Sequence, residues 1–108
     1  MVRDELLRLR ASAEAEAATL ARDLAALFAA SRDSNADDEH DPEGATVGFE
    51  RAQLTALLAA ARGRVAEVDD ALRRVDAGTY GVCERCAQPI GAERLAARPF
   101  ARYCMACA

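Results

Sequence analysis

Gly81-Val82-Cys83-Glu84-Arg85-Cys86 and, further on, Cys104-Met105-Ala106-Cys107 are the stretch that decides how this chain folds; seventeen residues separate the two cysteine pairs. The spacing C-x2-C-x17-C-x2-C is that of a four-cysteine zinc site. Zn²⁺ in a structural site takes four ligands in a tetrahedron, and two thiolates three residues apart reach adjacent corners from one tight turn. Gly81 before the first pair and Gln88-Pro89 after it are turn formers. All four cysteines are used, so the site closes without a position for water, which marks a structural metal rather than a catalytic one. Two disulfides, or a redox pair, are the rival uses of the same residues. The start, Met1-Val2-Arg3-Asp4-Glu5, is charged and has no apolar leader. Thiols inside a cell stay reduced, so one structural Zn²⁺ on Cys83, Cys86, Cys104 and Cys107 is the expectation. The βαβ pattern that a thioredoxin-type pair needs is missing.

Outward from the cysteines, the rest of the chain reads as helix. With 108 residues it is one small domain, or one domain with an extended arm. Apolar residues make up 52%, much of it alanine, while aromatics are 5% and tryptophan is absent. Such a chain is poor in large core side chains and rich in helix formers. Metal is a usual supplement to so small a core. No apolar run reaches the length of a membrane span. The formal net charge of -4 speaks against wholesale nucleic-acid binding.

Residues 3 to about 32 predict one helix. Leu6, Arg10, Ala13, Ala17, Leu20, Leu24 and Leu27 step by four and three, a seam of about 3.5 residues per turn. Only Arg10 breaks it. A second seam, Val47, Arg51, Leu54, Leu58, Ala61, Val65, Val68, Leu72 and Val75, predicts a helix from about 46 to 77. Asp41-Pro42 and Thr46 compete as its start. Gly63 lies off the seam and costs about 1 kcal/mol relative to alanine. Gly78 ends the helix as a C′ glycine. Between the helices, Asp33 to Gly44 holds six acidic residues in twelve and no arginine. Two seams joined by a short polar loop close as an antiparallel helical hairpin, a coiled coil of arms roughly 45 Å long at ~1.5 Å per residue. The fold class is therefore mainly α: a hairpin over 1-78 with an acidic tip at 33-45, then a four-cysteine zinc module over 79-108. An intermolecular coiled coil is the competing arrangement, and a monomer the expectation. Between the cysteine pairs, Ile90 to Ala96 predicts a turn or strand and a brief helix ended by Arg98-Pro99. Ile90, Leu95, Phe100 and Tyr103 are the expected apolar cover of the metal.

G-x-C-x-x-C, then Pro89-Ile90-Gly91-Ala92-Glu93-Arg94-Leu95-Ala96-Ala97-Arg98-Pro99, then a second C-x-x-C, resembles the DksA/TraR family of bacterial zinc-finger proteins over roughly residues 70 to 107. The resemblance implies a cytoplasmic partner, RNA polymerase. Family members enter its secondary channel with the hairpin, hold the globular part at the rim, and change promoter-complex lifetimes. Several act with ppGpp, and none reads a DNA sequence. The family tip reads D-P-x-D-x-A with two functional aspartates. Here Asp41-Pro42 matches the first, and the second position falls on Gly44. Glu43, Asp38 and Asp37 are the candidates for the other carboxylate. A negative tip suits a positively lined pore that ends at bound Mg²⁺, where it perturbs charge balance without doing chemistry. Members with a helix beyond the last cysteine pair are not the match here, so ppGpp responsiveness is not carried over.

Two other classes stay open. A zinc-ribbon nucleic-acid binder would use Arg85, Arg94, Arg98 and Arg102, which outnumber Glu84 and Glu93 in the finger. Four thiolates with Zn²⁺ contribute about -2, which cancels that excess. A structural coiled-coil adaptor would need the finger only as a staple. An enzyme is not expected, for want of a nucleophile-base pair, an open metal position or a phosphate-cradling loop. His40, the single histidine, is expected to be a bystander beside a complete thiolate set.

Overall fold

The computed structural model describes the backbone of residues 1–33 and 42–108, and side chains from 1–30 and 46–108. Three helices follow in order: α1 (Val2–Asp33), α2 (Pro42–Ala77) and α3 (Ala92–Ala97). Among the described residues there is no strand, only one antiparallel bridge between Val82 and Pro89. The turn-or-strand expectation before α3 thus reduces to that bridge. None of these helices is long and apolar enough to cross a membrane.

Both long helices match their seams. α1 carries Asp4 and Glu5 in its first turn, where carboxylates favour the positive end of the helix dipole. α2 starts at Pro42, the earlier of its two candidate starts, where a missing N–H costs nothing. It ends as the glycine predicts. Gly78 takes φ 76°. Its N–H donates to the Val75 carbonyl at 3.2 Å and that of Thr79 to Arg74 at 2.9 Å. Those two bonds satisfy the carbonyls a helix end leaves open, and turn the chain toward the finger.

The chain forms two compact units. The first joins residues 1–11 to 64–108. Its helical core is Leu6, Val68 and Ala71, each at most 1% exposed, with Leu9, Leu72, Val75, Tyr80 and Phe100 packed around them. Ala71 is off the predicted seam. Tyr80 and Phe100 pack against the cluster that includes it, so tertiary packing buries it where periodicity does not. Arg3 pairs with Asp76, and Arg10 with Asp69. Seven residues forward on α1 are thus seven back on α2, as an antiparallel pair in heptad register requires. The arginine that breaks the first seam is therefore a seam position with an acidic partner. Its second guanidinium nitrogen reaches the other Asp69 oxygen at 3.3 Å. Hydrogen bonding from Arg10, above all, holds the Asp69 carboxyl below its ordinary range.

The second unit comprises residues 12–63. Ala13, Leu58 and Ala61 are buried there, and Ala17, Leu20, Leu24, Leu27, Val47 and Leu54 half-buried. The Arg51 guanidinium lies over the Phe28 ring at 5.0 Å, so this seam arginine covers an aromatic face. The small Ala26 and Ala30 leave an open groove of about 520 Å³ beside Leu27, Leu54 and Leu57. Asp37, Asp38 and Asp41, expected at the acidic tip, lie outside the described residues. Pro42 and Glu43 open α2, and their side chains lie outside the description as well.

Candidate metal centre

Two backbone turns bring the four cysteines together. In the first, the Cys83 N–H donates to the Gln88 carbonyl at 2.8 Å and the Ala87 N–H to the Cys83 carbonyl at 2.9 Å. The turn closes because Ala87 adopts φ 63°, the only positive φ of a non-glycine residue among those described. A side chain in that region is strained, and such strain persists only where surrounding structure dictates it. Gly81, at φ 84°, lets the chain enter the turn, and its carbonyl accepts from the Ile90 N–H at 2.9 Å. In the second turn the Cys104 carbonyl accepts from Cys107 at 3.1 Å and from Ala108 at 2.9 Å. The Glu84 N–H donates to the Arg102 carbonyl at 3.0 Å and ties the two turns together.

The result is a cluster of four sulfurs, all within 4.8 Å of one another. The cysteines are free thiols, and the Cys86 and Cys104 sulfurs stand 3.7 Å apart, far beyond a disulfide bond. Cys83 is buried with Ile90 and Ala101, and Leu95 and Tyr103 pack against them. Three of the four residues expected to cover the metal do so. Phe100 does not: it packs on the Leu6–Val68–Ala71 cluster. Ala101 next to it turns into the metal cluster instead. The Ala101 N–H donates to the Arg98 carbonyl at 2.9 Å, and this turn presents its successive side chains to different clusters, so one segment serves both cores.

Proton affinities in the cluster diverge. Burial raises the Cys83 thiol, but N–H groups of Cys104, Cys86 and Arg85 outweigh it and hold it down to about 6. Burial likewise opposes the lowering of Cys104, which backbone and thiol hydrogen bonds from Cys107 produce. At Cys86 the Gln88 N–H lowers the thiol, and the Cys83 thiol, burial and the Cys104 thiol together raise it. Cys107 is pushed up to about 12, first by the Cys104 thiol and then by burial. Like charges this close cannot all ionise unaided, and a divalent cation removes the conflict by taking the place of the shared protons. The donor set fits one Zn²⁺: four thiolates, two from each turn, reaching one point, with Cys86 exposed to solvent for entry.

An ionic network docks this centre on α2, and periodicity alone does not reveal it. Glu84, between the first two cysteines, accepts from Arg102 Nε at 3.1 Å and faces Arg74 at 3.6 Å. Asp70 lies 3.8 Å from Arg74 and 3.7 Å from Arg102. The Arg74 guanidinium also donates to the Phe100 carbonyl at 3.2 Å, and the Tyr80 hydroxyl to the Pro99 carbonyl at 2.6 Å. Asp70 and Arg74 stand four residues apart on α2, a spacing at which helical side chains meet. Their link to Glu84 and Arg102 arises only when the finger folds.

A chain of long helices that ends in a closed four-thiolate site is a zinc-finger protein of the C4 type. Residues 78–108 match the prokaryotic dksA/traR C4-type zinc finger. A segment of 40 residues is 52% identical to the RNA polymerase-binding transcription factor DksA of Caulobacter vibrioides, covering 37% of this chain and 28% of that protein. Over 69 residues it is 39% identical to general stress protein 16O of Bacillus subtilis, covering 64% of this chain and 42% of that one. The structure of transcription factor DksA2 from Pseudomonas aeruginosa superposes with a TM-score of 0.81 at 28% identity, over 98% of this chain and 76% of that one. Its finger is thus of the dksA/traR C4 type, and the chain as a whole is similar in fold to transcription factor DksA2. Its matches span between 28% and 42% of the lengths of these curated relatives.

Proposed function

We propose that the protein is a transcription regulator that binds RNA polymerase, acts without chemistry of its own, and works as a monomer in the cytoplasm. In this reading the segment over 1-78 is the probe and the finger over 79-108 its base at the rim of the secondary channel. Asp41, Pro42, Glu43, Asp38 and Asp37 carry charge toward the polymerase active site. The single observation that carries the reading is the likeness to DksA2 along 98% of the chain. The polymerase-binding relative in Caulobacter supports it over 40 residues at 52% identity.

The finger's own arginines weigh against the nucleic-acid reading. Arg102 is spent on Glu84, Arg85 on the Cys107 carbonyl at 2.9 Å, and Arg94 on the Tyr103 carbonyl at 2.7 Å. Arg98 lies over the Phe100 ring at 5.5 Å. A phosphate-binding surface needs such cations free to replace counterions.

Transcription in vitro with purified polymerase tests the proposal. Wild type is expected to change promoter-complex lifetime, and Asp41→Asn to bind polymerase while losing most of that effect. A wild-type protein that neither associates with polymerase at low salt nor alters transcript yield ends this reading.

A further inference from the structure

The second cysteine turn packs Tyr103, Cys104 and Cys107 against the Cys83–Ile90–Ala101 cluster from one side and is otherwise lightly held. Tyr103, Cys104 and Cys107 are half-exposed, and Met105 is 74% exposed. Its internal hydrogen bonds both end on one carbonyl, that of Cys104. Two guanidinium groups from outside the turn grip it instead. Arg85, inside the first cysteine pair, donates Nη1 to the Cys107 carbonyl at 2.9 Å and lies 4.9 Å from the centre of the Tyr103 ring. Arg94, on α3, donates Nε to the Tyr103 carbonyl at 2.7 Å, with Nη1 3.4 Å from the Met105 sulfur. The turn is therefore held at both ends, by one cation from the first pair and another from the helix between the pairs.

We propose that Arg85 and Arg94 are positioning residues of the metal centre: together they hold the 103–107 turn ready to ligate and offset the charge of the occupied site, and so set its metal affinity. The inference rests on the four-thiolate reading of the cysteines and is independent of the polymerase reading. Two effects act together. Four thiolates around one divalent ion leave a net charge of about -2, and two fixed cations at the turn's carbonyls stabilise it. The grip also restricts a turn that would otherwise sample many conformations, so less ordering is left to the binding step. Hydrogen-bonding partners that orient ligands are typically worth 10–100-fold in metal affinity.

Chelator competition on the full chain under reducing conditions tests this, with Zn²⁺ as the probe. Arg85→Ala and Arg94→Ala are each expected to weaken Zn²⁺ binding about tenfold or more, with helical circular dichroism retained. Arg85→Lys should recover part of the loss, since it keeps the charge and loses the planar fork. Arg98→Ala is the control, because its guanidinium lies on Phe100 rather than on the turn. The Co²⁺ absorption of the alanine variants should keep the tetrahedral thiolate bands at saturation, showing the same site bound more weakly. Affinities within twofold of wild type for both alanine variants overturn the proposal. So does an equal loss in Arg98→Ala, which would reduce the effect to general charge. Wild-type protein that binds neither Zn²⁺ nor Co²⁺ overturns the metal reading itself, an outcome distinct from either.

Discussion

Leu6→Ala tests whether the start of α1 is the keystone of the unit that carries the finger. Leu6 is 0% exposed, and its cluster contains Val68 and Ala71 of α2 with Tyr80 and Phe100 of the finger segment around it. Truncation removes buried methyl and methylene groups and leaves a cavity bounded by two helices, which cannot collapse onto each other without shifting the finger. Leucine-to-alanine changes at such sites cost about 2–5 kcal/mol, and rigid walls on three sides place this one near ~3 kcal/mol. Leu7 is the internal control, one residue away and 46% exposed. Its replacement by alanine should stay within about 0.5 kcal/mol. Urea unfolding of the zinc-loaded protein, followed by circular dichroism, gives both numbers. A midpoint for Leu6→Ala that matches Leu7→Ala, with an unchanged slope, would refute the assignment of Leu6 to the core.

Gly63 sits inside α2, and a Cβ there would meet nothing within 4 Å. Gly63→Ala should therefore stabilise the protein by about 0.5–1 kcal/mol in the same urea assay. Asp69 has its folded pKa depressed, chiefly by the Arg10 hydrogen bond. Its stabilising contribution is present above the unfolded value of 3.8 and is lost as pH falls through the lower folded value. Wild type should thus lose its advantage over Asp69→Asn on acid titration of stability. At this half-exposed site that advantage is no more than about 1 kcal/mol. Chelation, or Cys83→Ser, removes a contribution on the order of 10 kcal/mol to the finger. Limited proteolysis should then cleave within 79–108 while helical dichroism largely persists, and unchanged resistance there would count against a structural metal.

What the sequence disclosed, and what it hid, follows from the range of each interaction. Steps of four and three place Leu6, Val68 and Leu58 inward because helix periodicity is a local property. The cysteine spacing and Gly78 work the same way, since a turn is set by a handful of neighbours. Ala71, Phe100 and Glu84 resist such reading because each is placed by a residue more than ten positions away. Phe100 was expected over the metal; the turn that the Ala101 N–H closes on the Arg98 carbonyl gives Ala101 to the cysteines and Phe100 to the helices. The same holds for charge. Arg10 reads as a flaw in its seam until Asp69, far along the chain, is set beside it. Arg74 lies one helical turn from Asp70, and Glu84, between the ligating cysteines, reaches it from the finger. The finger is therefore coupled to α2 by the very residues that periodicity leaves over. A substitution that spares every seam position and every thiol, such as Glu84→Gln, still reaches both Arg74 and Arg102 and loosens the finger from the helix that carries it.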